Sequence, residues 1–516
     1  GELEEADTYI DRLLKINDTN PLLNQFKAAT NAHKGDYANA LKRADMAILG
    51  GKDEPSVRLV AGYSAYQIRD YENANRHLSY IAGRLPDNHP GLRLLAASQL
   101  QLGLTSEVSD VLVRLDELSE KDAPLFSKAS YELLRGGFEK DAKMLVEKSS
   151  DISRTAEDLT RLGLLQLSLN NLEGIINLEE AVSQSPKLES AQITLAKAYL
   201  ATRQYDKAIE LANNWKTTAN GDNKPFLVAG DVYLRQQKFS DAKAEFEQAA
   251  QLDKTDAAPR LALVNLAFLQ KDNQQAMQLL EQTLIDFPSS VPALASYYIV
   301  KKQNDESEQG IKKIQTAFAN DPNNIGLRLL VVRVNMAENN YQAAIDLLTE
   351  VSDQQNLPQG YWKFLGQSLI RTNQRREATK HYDLWLEKQP NDKDAVMGKL
   401  LLLDSQNKFP EALELVQSYL DNRDDIQMQL LNTHFLLMSG QFDAAKEVYD
   451  TLPKSVLDMP VTKGFLARFQ LNDNQPKAAL DNALIAYKGA PNNRNLVLLV
   501  FIYESLKEPE KALGIL

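Results

Sequence analysis

The chain has 516 residues, 43% of them hydrophobic and 25% charged, with 58 basic and 70 acidic residues, no cysteine and a net charge of −12. These are the values of a folded globular protein. The missing cysteine excludes a thiol nucleophile or a disulfide, no apolar run approaches the length of a membrane-spanning helix, and the acidic balance suits a nucleic-acid binder poorly.

Taken in chain order, one small residue recurs. Ala6, Ala40, Ala74, Val108 and Ala142 stand 34 apart; Gly174 follows at 32 and Ala208 at 34. Ala242, Ala276, Gly310, Ala344, Ala378 and Ala412 continue at 34, and Ala445, Ala479 and Ala512 close the series at 33, 34 and 33. A fixed period of this length signals a repeat architecture with one continuous core, in place of the three or so domains that length alone would suggest. A small residue at each marker implies that two helices touch closely there.

Each unit reads as two helices. In residues 223–256, Phe226, Ala229, Gly230 and Tyr233 form one apolar stripe at helical spacing. Phe239, Ala242, Phe246 and Ala249 form a second, and Gln236–Lys238 make the polar turn between them. The segments "FPSS", "DPNN", "QPND" and "APNN" close units elsewhere; proline ends a helix and Asn or Asp caps the next. Tyr71, Tyr205, Phe239, Tyr341, Phe409 and Phe442 stand three before a marker and are expected in the core. No alternating strand pattern appears, so the expectation is an all-α chain of about thirty helices.

The unit resembles the tetratricopeptide (TPR) repeat. Phe226, Gly230, Tyr233, Ala242, Phe246 and Ala249 fill that family's places, while Lys254 stands where proline is usual. The resemblance implies a right-handed α-solenoid superhelix of about fifteen TPR-like helix–turn–helix repeats with a concave groove. The expected organisation is a continuous array over residues 1–516, cut inside a repeat at both ends, with an irregular repeat at 143–175. Val264, Tyr298, Val332 and Leu400 replace the usual small residue of the first helix, and altered helix spacing is expected there.

The residues for chemistry are sparse. His33, His77, His89, His381 and His434 lack metal-ligand spacing and are expected on the surface or in the groove. "GGKDEPS" at 50–56 lacks the phosphate-cradling spacing and reads as an inter-repeat loop; "NDT" at 17–19 matches a glycosylation acceptor by a pattern common by chance. Asp424 and Asp425 are expected to be solvated. The reading is not an enzyme, with no cofactor and no metal.

A partner-binding face follows from register. With each marker as position 20 and about 100° per residue, positions 2, 5, 9, 12 and 13 of the first helix lie opposite its apolar stripe. In the TPR family that side lines the concave surface. Positions 9, 12 and 13 give Arg135, Lys197, Arg235, Lys302, Arg333, Arg371 and Arg468 against Asp231, Asp404 and Glu504. Positions 2 and 5 add Arg93, Lys224, Lys363 and Arg494 against Asp394. A basic lining inside an acidic chain focuses positive potential on the groove. Tyr63, Tyr66 and Tyr131 share the face and can stack on a sugar ring or a peptide side chain. The expected partner is a protein of a secretion or assembly complex, an acidic peptide or an anionic polysaccharide, and not nucleic acid.

Zero cysteine also fits an oxidising compartment. Long cysteine-free arrays of this kind look like the bacterial TPR-repeat lipoproteins that accompany PEP-CTERM sorting and exopolysaccharide export. That resemblance implies an interaction scaffold that is periplasmic or anchored at the outer membrane. The alternatives are the non-catalytic arm of a larger enzyme, such as a glycosyltransferase, and a cytosolic adaptor for acidic peptides.

Overall fold

The computed structural model describes residues 2–152, 154–219, 221–351, 357–421 and 423–515, with side chains from Glu4 onward. The expected breaks at Gly1 and Leu516 lie outside this set. Among the described residues there are thirty-two α-helices, one short 3-10 helix and no strand. None of these helices is long and apolar enough to cross a membrane. The chain divides into two compact units, Gly1–Val331 and Val332–Leu516, with the division inside the helix Ile325–Ala337.

Each unit is a run of helical hairpins, and one backbone feature defines every hairpin. Its turn contains a single residue in the left-handed region: Gly35, Arg69, Gly103, Gly137, Asn170, Arg203, Gln237, Lys271, Asp305, Asn339, Asn373, Asn407, Gly440, Asn474 and Lys507. The next amide then bonds back to a carbonyl five residues earlier, as Lys238 N–H does to Tyr233 (2.9 Å) and Asp272 N–H to Ala267 (2.9 Å). This arrangement closes the first helix by satisfying carbonyls that otherwise lack partners. Five of the fifteen turn residues are Arg, Gln or Lys, which bear the cost of that conformation that glycine avoids.

The markers sit where the two helices of a hairpin cross. Fifteen of the sixteen are buried, most of them completely. Ala6, in the helix Glu2–Leu14, is the exception and is exposed. The crossing is tight because backbone meets backbone. A Cβ added at Gly174 would lie 2.4 Å from the Gly163 carbonyl oxygen, and one at Gly310 would lie 2.9 Å from Tyr298 Cα. Tyr298 is thus accommodated because the opposing marker has no side chain. Val264, Val332 and Leu400, the other replacements of a small residue, are likewise buried.

The same contacts locate the irregularity. Gly62 faces Leu78, Gly230 faces Phe246 and Gly366 faces Tyr382, always sixteen apart; Gly163 faces Leu178, fifteen apart. One residue is therefore missing between Gly163 and Leu178, after the left-handed residue Asn170. Counting from the left-handed turn residue, not from the marker, keeps the first helices in register through residues 143–175.

Asn and Asp caps stand where the closing segments put them. Asn20, Asn324, Asp392 and Asn492 accept from the amides of Leu23, Leu327, Ala395 and Asn495 at 3.0–3.1 Å. Asp425 departs from its expected role. It caps the helix Ile426–Met438 and pairs with Lys393 at 2.6 Å, so it is engaged and not simply solvated. The aromatics three before each marker are half-buried flanks of the core, with Tyr205, Phe239, Phe409 and Phe442 packed against its clusters.

Two histidines also depart from expectation by lying in the interior. His77 is 1% exposed, against Asp45 at 3.2 Å. His381 is buried among Trp362, Tyr382 and Trp385 with Nε2 2.8 Å from the Trp362 carbonyl oxygen. Both follow their marker by three residues, on the packed side of the second helix.

Candidate functional site

The sixth residue before each left-handed turn residue corresponds to position 9 of the first helix. Down the chain this row reads Ala29, Tyr63, Ala97, Tyr131, Leu164, Lys197, Asp231, Asn265, Ile299, Arg333, Gln367, Leu401, His434, Arg468 and Phe501. Six of these are large apolar or aromatic side chains, and all six are 38–56% exposed. Among the described residues no other position of the repeat leaves so many large apolar groups uncovered. An exposed apolar row on a charged chain marks a surface that something covers.

Within the unit Gly1–Val331, adjacent members of the row share surroundings. Tyr131 and Leu164 line one cavity of about 640 Å³ between the helices Ala123–Arg135 and Ala156–Ser168. Pro124, Ser127, Tyr131, Leu134 and Arg135, at positions 2, 5, 9, 12 and 13, form one of its walls. Asp231 has solvent on its own surface yet protein on most sides. That enclosure pushes its carboxyl above the usual range, while Arg235 and Lys197 pull it back. In the second unit, Arg468 is held below its ordinary value by burial and by Arg494.

The charge on this face is less one-sided than a count of basic positions suggests. Arg93 pairs with Asp122 at 2.6 Å and Lys224 with Glu189 at 2.6 Å. Lys363 pairs with Asp394 at 3.3 Å and Arg494 with Asp404 at 2.8 Å. Arg135 lies 3.7 Å from Glu132, and Lys302 donates to the Tyr298 hydroxyl at 3.2 Å. Asp122 and Glu189 stand at the N-terminal edges of their helices, outside the counted positions, and long cations reach them. Lys197, Arg235, Arg333 and Arg371 are exposed and make no ion pair among the described residues.

Two of the three tyrosines also have protein partners. Tyr63 packs edge-on against Tyr37 (5.7 Å between centroids) while remaining exposed. Tyr66 is half-buried, lies edge-on to Tyr71 (5.9 Å) and joins the core around Ala61, Ala65 and Ala74. Tyr131 lines a cavity. The apolar members Leu164 and Ile299 of the first unit and Leu401 and Phe501 of the second hold the same repeat position and are invisible to a reading by charge. Listing one repeat position down the chain is the signal that finds them.

Among the described residues no cluster of His, Asp and Glu is arranged to hold a metal ion.

Two models of the tetratricopeptide repeat match the chain, at residues 233–297 and 365–425, so each unit carries segments of this repeat. No curated protein matches. Among solved structures, the crystal structure of yeast Tom70 is similar at a TM-score of 0.36 and 16% identity, covering 88% of this chain and 94% of that one. The APC/C hetero-tetramer Cut9–Hcn1 gives 0.35 and 12%, covering 99% and 93%. Naa15/Naa10 bound to HypK-THB gives 0.32 and 12%, covering 99% and 96%.

Proposed function

We propose that the chain is a non-catalytic interaction scaffold that holds a partner polypeptide on the first-helix face of its repeats. The observation that carries this reading is the exposed apolar row Tyr63, Tyr131, Leu164, Ile299, Leu401 and Phe501, interleaved with the exposed cations Lys197, Arg235, Arg333 and Arg371, which make no ion pair among the described residues. Apolar anchors supply most of the affinity at such a surface, and rim charges set on-rate and orientation. The partner is a segment in which apolar and acidic residues alternate. The zero cysteine count supports an extracytoplasmic setting, in which envelope assembly or exopolysaccharide export is the process served.

A photo-crosslinking residue at Ile299, at Arg333 or, as a control, at the second-helix residue Lys243 tests the reading in the producing cell. Discrete adducts from the first two positions and none from the third are expected. Equal labelling from all three would remove the first-helix face from the account.

A further inference from the structure

We propose that the cavity between the helices Ala123–Arg135 and Ala156–Ser168 is a subsite for one bulky apolar side chain of the partner with an adjacent Asp or Glu carboxylate. This rests on the peptide-scaffold reading and narrows it to one place and one chemistry.

The location is set by register. Tyr131 and Leu164 are the only consecutive members of the row that are both large and apolar. Their helices are first helices of adjacent repeats, whose left-handed turn residues Gly137 and Asn170 stand 33 apart in place of the usual 34. Both are about half exposed, and Leu134 and Leu165 extend the apolar lining between them. A cavity of about 640 Å³ admits a leucine or phenylalanine side chain together with its flanking main chain.

The charges around this cavity do not balance. Lys128, Arg135 and Arg161 line it, and a fourth cation, Arg154, lies behind it. Arg154 is 6% exposed and donates to Ser127 Oγ at 3.3 Å and Ser149 Oγ at 2.9 Å. Its Nε has no hydrogen-bond partner, and among the described residues no carboxylate lies within ion-pair distance of it. None of the residues that line it is a carboxylate; Glu132 lies beside Arg135, and Asp158, bonded to Arg161, also acts on Arg154. A partner carboxylate entering here gains charge-assisted hydrogen bonds at a partly enclosed site, where they are stronger than in open water. A sugar chain fits less well. Its hydroxyls would lose water against Leu134, Leu164 and Leu165 without finding partners.

The test pans a displayed library of random twelve-residue peptides against the whole chain and measures the enriched peptides on variants. Enrichment of an apolar residue next to Asp or Glu is expected. Affinity should fall about tenfold in Leu164→Gln and in Arg135→Gln, and should stay within about twofold in Lys243→Gln, on a second helix outside the row. These positions are exposed, and circular dichroism verifies each variant's fold. Enriched peptides without that pair, or with affinities unchanged by Leu164→Gln and Arg135→Gln, overturn the subsite and leave the scaffold reading standing. If no peptide is enriched and alginate binds instead, the subsite and the peptide reading fall together.

Discussion

Arg494 donates a hydrogen bond to Asp404 at 2.8 Å although the two are ninety positions apart in the chain. Asp404 ends one first helix and Arg494 begins another, and the helix Pro460–Asn472 lies between them in sequence. His434 completes the group, 3.2 Å from both partners. Burial pushes the Asp404 carboxyl up, and His434 with Arg494 more than reverses this, holding it below the usual range.

Because Arg494 is close to half exposed, the pair is screened by solvent. A double-mutant cycle of Asp404→Asn and Arg494→Met should give a coupling of only about 0.5 kcal/mol, falling as salt is added. A coupling that stays constant between low and high salt would show that the pair is held in a drier setting than its exposure indicates.

The helix crossings should be far less tolerant. A Cβ at Gly230 would lie 2.3 Å from the Phe246 ring, and Ala242 beside it is fully buried. Gly230→Ala and Ala242→Phe should each cost about 1–3 kcal/mol in urea titrations, because the close-packed hairpin must open to admit them. Parent-like stability in Ala242→Phe would mean that the marker is not at the crossing.

The turns allow changes of opposite sign. Gly103 has φ +73° with open space around it, so Gly103→Val carries only the backbone cost and should destabilise by about 1–2 kcal/mol. Gln237 already bears that cost at φ 59°. Gln237→Gly should stabilise by about 0.5 kcal/mol, the remainder being offset by glycine's entropy in the unfolded chain. Thermal melts of the two variants on either side of the parent would verify the pair.

His381 makes stability depend on pH. Burial holds its pKa below the ordinary 6.5, although its bond to the Trp362 carbonyl opposes the shift. The unfolded chain therefore binds the proton first, and stability contributed by the neutral ring is present above pH 6.5 and lost as pH falls below it. The slope from this group is at most about 1.4 kcal/mol per pH unit. Denaturation followed by tryptophan fluorescence should show the loss, reporting Trp362 and Trp385, and His381→Phe should flatten it.

The sequence by itself determined the repeat, the two helices of each unit, the small residues at the crossings and the caps at the closing segments. These depend on interactions within about one period, namely turn chemistry, helical spacing and the close approach of two helices joined by a short turn. It also assigned positions 2, 5, 9, 12 and 13 to one side of the first helix, and five residues at those positions form a wall of the cavity beside Tyr131. Only the tertiary structure decided which charges on that side remain open. Arg93 and Lys224 reach Asp122 and Glu189 on neighbouring repeats because long side chains cross between helix ends, which no count within one helix registers. Packing of second helices against their neighbours likewise buried His77 and His381, whose residue type gave no sign of it. The cavity required both: the row placed Tyr131 and Leu164 at one repeat position, and the packing of the helices Ala123–Arg135 and Ala156–Ser168 left the space between them.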